Sequence, residues 1–115
     1  MKVSVDYDRD NDILYFYPDE RSVDFSVDYD GIILDISGNN VVGIEIMDAS
    51  EKFGLDDDNL ESVRLILDSI KDAHMKVKYD HSSILVKLGF VSFDSNTKEN
   101  MLVQVPIKRE MMVGV

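Results

Sequence analysis

GIILDISGNNVVGIEIMDAS, residues 31–50, reads as two apolar strands, Ile32–Ile36 and Val41–Met47, closed by Ser37-Gly38-Asn39-Asn40. Gly and Asn tolerate the positive φ that a tight hairpin turn requires, so the segment predicts a central hairpin with a local register. Upstream, Val3, Val5 and Tyr7 alternate with Lys2, Ser4, Asp6 and Asp8, the period-two signature of a strand with one dry face. Asp8–Asn11 is a polar break. Ile13–Tyr17 is apolar on both faces, as expected of a covered strand, and Pro18-Asp19-Glu20-Arg21 closes it. Val23, Phe25, Val27 and Tyr29 alternate with Ser22, Asp24, Ser26 and Asp28, and Asp30-Gly31 turns the chain into the hairpin.

Downstream the period changes. Asp48–Phe53 predicts one helical turn, stopped by Gly54. Leu60, Val63, Ile66, Leu67, Ile70 and Ala73 form one apolar stripe, which predicts a principal helix over residues 58–73. Asp58 with Glu61 makes a capping arrangement, Asp56-Asp57-Asp58 meets the positive end of the helix dipole, and Lys71 its negative end. Strands return at Met75–Tyr79, at Ile84–Phe93, which Gly89 is placed to bulge, and at Met101–Val105 before Pro106. Asp94–Asn100 reads as a polar loop and Lys108–Val115 as a tail. Residues 1–17 and 75–89 share Met-Lys-Val, Tyr-Asp, a polar turn and Ile-Leu, which raises an internal duplication. The expected fold is α+β: a single domain with a largely antiparallel sheet of about seven or eight strands packed on one main helix. The apolar surplus exceeds what one helix can cover, so the sheet folds over itself or the chain forms a homodimer.

At 115 residues the chain can bury a core without staples. It has no cysteine, which excludes disulfides, thiolate metal sites and a cysteine nucleophile. No apolar run approaches the roughly 20 residues of a membrane span, and the first residues lack a signal-peptide core, so cytoplasmic residence is expected. Net charge is −11, and residues 1–60 hold 16 Asp and Glu against 4 Lys and Arg. Such a half-domain repels nucleic acid and suits a basic protein partner.

Asp6, Asp8, Asp10 and Asp12 stand at alternate positions, like the opening of a calcium loop. The sixth and twelfth positions counted from Asp6 are Asn11 and Tyr17, where that loop needs glycine and glutamate, so the motif fails and at most a looser divalent-cation site remains. His74 and His81 flank a strand and would lie about 20 Å apart at strand rise. Ser82-Ser83 beside His81 lacks a nucleophile elbow, and no phosphate loop or dinucleotide fingerprint occurs. Asp35 and Glu45 are placed to face one another across the central hairpin, where buried like charges would raise a pKa, although two solvent-facing carboxylates are the simpler reading. Tyr7, Tyr15, Tyr17, Phe25 and Tyr29 have strand spacing and read as core, or in part as a partner-binding patch.

Lys2-Val3 through Tyr7-Asp8, Asp12-x-Leu14-Tyr15, Gly31-Ile32-Ile33-Leu34-Asp35 and Val42-Gly43-Ile44-Glu45-Ile46-x-Asp48-Ala49-Ser50 follow a known order of motifs. Over about residues 1–53 the chain thereby resembles a family of short prokaryotic proteins, the domain of unknown function numbered twenty-two eighty-three. GIEIMDAS is the more specific motif. The family has no established activity, and the placing of some members beside small toxin-like genes implies an antitoxin or partner-binding role. The chain departs from it in an unusually acidic loop between Val5 and Asp12 and in the helix-plus-strand half after Phe53. No catalytic residue and no cofactor are expected. The expectation is a non-enzymatic interaction module whose Asp6, Asp8, Asp10, Asp24, Asp28 and Asp30 meet a basic partner. The alternatives are a small-ligand or divalent-metal protein, or a hydrolase working through carboxylates, and a structural homodimer.

Overall fold

The computed structural model describes residues 2–19, 22–53, 60–92 and 98–106. Eight strands and two helices follow in the order β1 (Lys2–Asp8), β2 (Ile13–Tyr17), β3 (Phe25–Tyr29), β4 (Ile32–Ser37), β5 (Asn40–Ile46), α1 (Ala49–Phe53), α2 (Leu60–Leu67), β6 (Ile70–Tyr79), β7 (Ile84–Ser92) and β8 (Lys98–Val105). The sheet order is β3-β4-β5-β2-β1-β6-β7-β8, and every pairing is antiparallel.

The β4–β5 hairpin turns on Gly38 and Asn39, at φ 54° and 69°, as the Gly-Asn pair predicts. Its register then shifts between Asp35 and Ile36, so that Val41 pairs with Ile36 and Gly43 with Asp35. The bulge at Val42 lets Val41 and Ile44, three apart in sequence, both point into the core. Glu45 therefore stands opposite Ile33, not Asp35, which corrects the expected carboxylate pair.

A second bulge overturns the expected long helix. The register of β6 on β7 shifts between Ile70 and Asp72, which separates the inward-leaning Ile70 and Ala73 by three residues. That spacing imitates the helical i, i+3 period, but it belongs to a strand. Helix α2 ends at Leu67, where Ser69 Oγ donates to the Ile66 carbonyl, and Lys71 lies on β6 and not at a helix terminus. Among the described residues, two short helices pack on a sheet-dominated fold in place of one main helix. The expected acidic cap at residues 56–58, the stop at Gly54, part of the loop from Asp94 and the tail from Lys108 fall outside the described residues. Gly89 lies in regular register between His74 and Asn100 and forms no bulge, while β8 begins earlier and β3 later than expected.

The sheet folds over itself. β1 and β6 pair through Lys2–His74 and Val3–Ala73, and beyond that seam the five-stranded half (β3-β4-β5-β2-β1) covers the three-stranded half (β6-β7-β8). Leu14, Phe16, Leu34, Ile36, Ile44 and Ile46 from the first half share one core with Met75, Ile84, Val86, Leu88 and Phe90 from the second. Burial of each such side chain is worth about 1.5–3 kcal/mol. Phe16 and Phe90 approach at 6.5 Å between ring centres, and Phe53 of α1 meets Phe90 edge-on at 5.4 Å. The far ends are clasped by the Val41 N–H, which donates to the Tyr79 hydroxyl at 2.7 Å. The two similar segments, 1–17 and 75–89, each form a hairpin, and these hairpins adjoin at the seam.

Candidate functional site

Alternation along the strands gives each half an outer face, and that of β1–β5 is acidic and aromatic. Register aligns Asp6 on β1, Tyr15 on β2, Glu45 on β5, Ile33 on β4 and Asp28 on β3 in one row across five strands. Carboxylates thus recur on every second strand, about 10 Å apart at ordinary strand spacing. A second row places Gly43, Asp35 and Ser26 side by side, with Tyr17 and Ser4 continuing the same face.

Hydrogen bonds hold these groups. Tyr17 donates its hydroxyl to Asp6 at 2.8 Å, and Tyr15 donates to Asp35 at 2.5 Å. Ser26 donates to the same Asp35 at 2.7 Å, and Ser4 donates to Asp19. Asp35 is only 5% exposed, so both bonds satisfy a carboxylate that burial would otherwise penalise. The Tyr15 and Tyr17 rings lie 4.9 Å apart and tilted, on the outer face opposite the buried Leu14 and Phe16, which corrects the core reading of these two. Tyr7 and Phe25 do pack against the core, and Tyr29 is exposed.

The four alternating aspartates do not converge. Asp6 bonds Tyr17 on the outer face, and Asp8 accepts from the Asn11 backbone N–H and side-chain amide, which hold its carboxyl below the usual carboxylate range. Asp10 is exposed in the turn. Asp12, at φ 56°, turns toward α1. There its carboxylate accepts from Tyr7 Oη at 2.6 Å, from Ser50 Oγ at 2.6 Å and from the Ser50 backbone N–H at 3.1 Å. Burial raises the Asp12 pKa, but the Ser50 hydroxyl, Tyr7, the Ser50 amide and the charge of Arg64 together lower it. Burial, and next the bond to Asp12, push the Tyr7 hydroxyl upward. Ser50 is fully buried, so its hydroxyl cannot meet a substrate, and the trio is a latch between the β1–β2 turn and the start of α1. The sequence held its parts in separate motifs, Asp12-x-Leu14-Tyr15 and Asp48-Ala49-Ser50, without showing that they meet.

The remaining candidates divide between two strands. Asp24 accepts from the Gly38 N–H at 2.9 Å beside β3, Asp28 lies on β3 and accepts from the Gly31 N–H, and Asp30 turns at φ 51°. Asp6, Asp8 and Asp10 sit at the β1 side, so the two groups lie at opposite margins of the five-stranded half. Glu45 joins Asp6 and Asp28 in the row, a placement that the register of β2, β5 and β4 reveals and the sequence alone does not. His74 lies exposed on β6 and His81 in the following turn, and Ser83 is buried beside Gln104. Among the described residues, no three carboxylate or imidazole side chains are placed to hold a metal ion. An open cleft of about 370 Å³ lies at the seam, with Lys2, Ser4, Tyr17, Ile70 and Asp72 on its walls. Among the described residues, no helix is long and apolar enough to cross a membrane.

These features define a small antiparallel β protein with an acidic, tyrosine-bearing outer face. Its sequence places it further: the profile of the family described as "Protein of unknown function (DUF2283)" matches residues 4–50, and the chain belongs to that family. An uncharacterised protein of Methanocaldococcus jannaschii is 43% identical over 90 residues, covering 76% of this chain and 73% of that one. A Methanosarcina mazei protein, provisionally named a hypoxanthine phosphoribosyltransferase, is 33% identical over 85 residues, covering 73% of this chain and 65% of its own length. No solved structure matches.

Proposed function

We propose that the chain is a non-enzymatic protein-interaction module that presents the outer face of β1–β5 to a basic partner. The row Asp6–Tyr15–Glu45–Ile33–Asp28 carries this reading, because it sets evenly spaced carboxylates among apolar groups on a rigid sheet. Such a surface steers a cationic partner by charge and holds it through tyrosine and isoleucine contact. An antitoxin would be the form of this role in which the partner is a small basic toxin.

A ten-residue lysine peptide is a suitable probe. Asp6→Asn, Glu45→Gln and Asp28→Asn together should weaken its binding at least tenfold and flatten the salt dependence. An equal neutralisation elsewhere, Glu51→Gln with Asp72→Asn and Asp80→Asn, should cost less than threefold. Equal losses from both sets would show attraction by net charge alone and would defeat the reading.

A further inference from the structure

The three-stranded half has an outer face of opposite character. Lys76 on β6 stands directly opposite Lys87 on β7, which stands opposite Leu102 on β8. Lys78, Leu85 and Gln104 form the next row. All three lysines are exposed, and Leu102 is 66% exposed. Directly opposed like charges destabilise an antiparallel pair. Within the β6–β7 hairpin the only carboxylates are Asp72 near the start of β6 and Asp80 beyond its end, so none stands between the directly opposed Lys76 and Lys87. The face joins a positive cluster, without a carboxylate partner among the described residues, to the exposed Leu102 and the half-buried Leu85.

We propose that this lysine face docks head to tail on the acidic row of a second copy of the chain. The inference rests on the reading of the β1–β5 face as an interaction surface and supplies its basic partner. The two surfaces complement each other in both charge and apolar content. Carboxylates on β1, β5 and β3 meet ammonium groups on β6 and β7, and Tyr15 and Ile33 meet Leu85 and Leu102. The two outer faces point away from the shared core on opposite sides of the folded sheet, so the contact is heterologous and leaves a free face at each end of the assembly.

Net charge and contact charge oppose one another, which gives the association a diagnostic salt profile. Two chains of net charge −11 repel over long distances at low salt. At about 0.15 M salt the screening length is about 8 Å, which suppresses that repulsion while pairs in contact persist. Association is therefore strongest near about 0.15 M and weaker at both about 0.01 M and about 1 M.

Sedimentation velocity tests this with the wild type, an acidic-face variant (Asp6→Asn, Glu45→Gln, Asp28→Asn) and a lysine-face variant (Lys76→Gln, Lys78→Gln, Lys87→Gln). The wild type should associate with the stated salt profile. Each variant alone should sediment as a monomer, and an equimolar mixture should give a one-to-one complex and nothing larger, because each retains the face the other lacks. Should the lysine-face variant fail to fold, Lys87→Gln alone replaces it, and at least a fivefold weaker association is expected. A monomeric wild type at all three salts, or a mixture that stays monomeric while the wild type associates, overturns the proposal. If the wild type is monomeric yet the lysine peptide still binds the acidic row, the second copy is the wrong partner and the interaction module stands. Loss of both removes both readings.

Discussion

Asp12 is the residue whose chemistry is most sharply defined. It bonds Tyr7 and Ser50 with its carboxylate while its backbone occupies the left-handed region, which Asp and Asn tolerate better than other side-chain-bearing residues. Asp12→Asn keeps the backbone preference and loses the charge, so it should cost about 1 kcal/mol in urea unfolding. Asp12→Ala also loses the acceptors and meets the positive φ, and about 2 kcal/mol or more is expected. Because the folded-state pKa of Asp12 lies below its unfolded value, its contribution is present above about pH 4 and fades as pH falls through the lower folded value. Tyr7 acts at the other limit: its raised pKa favours the neutral folded form, and that stability is lost as pH climbs beyond about 10. Stability measured against pH should therefore decline at both extremes, and Asp12→Asn should blunt the acid limb. An unchanged acid limb would remove the latch. Gly43 supplies a second residue-scale test. A Cβ there would stand 3.1 Å from both Asp35 Oδ2 and the Phe16 carbonyl oxygen, and the latter is backbone and cannot yield easily. Gly43→Ala should destabilise by about 1–3 kcal/mol, read from the denaturation midpoint.

Among the elements, the fold rests on the clasp between its halves as well as on the seam. Tyr79→Phe removes the acceptor of the Val41 N–H while leaving the ring in place, so about 1–2 kcal/mol should be lost. Hydrogen exchange should report the loss first at Val41, on the β4–β5 hairpin. This level also shows what could be read in advance. The Gly38-Asn39 turn, the alternation of β1 and β3, and the short helix after Asp48 were legible because each is encoded locally. The β6 start was not, because the bulge near Lys71 spaces Ile70 and Ala73 as a helix would. The bulge at Val42 likewise hid the true partners of Asp35 and Glu45. An unpaired residue inside a ladder leaves no composition signal of its own; only the pairing partner reveals it.

Across the whole molecule, folding sorts the charges by face. The uneven charge of the sequence already marked the first half as acidic, but not which carboxylates share a surface. Strand order decides that, placing Asp28 and Asp6 at opposite margins with Glu45 between them, and strand order depends on pairings distant in sequence. The lysines were visible as alternate positions in Met75–Tyr79, whereas their alignment with Lys87 and Leu102 needed the register of three strands. The central claim is that the acidic row is a surface for cationic partners. Its most direct test is a titration of isotope-labelled protein with the ten-residue lysine peptide, followed through backbone amide shifts at low salt. The account predicts shifts concentrated at Asp6, Tyr15, Glu45, Ile33 and Asp28 and their neighbours. Shifts spread evenly to Glu51, Asp72 and Asp80, or centred on the seam cleft, would contradict it.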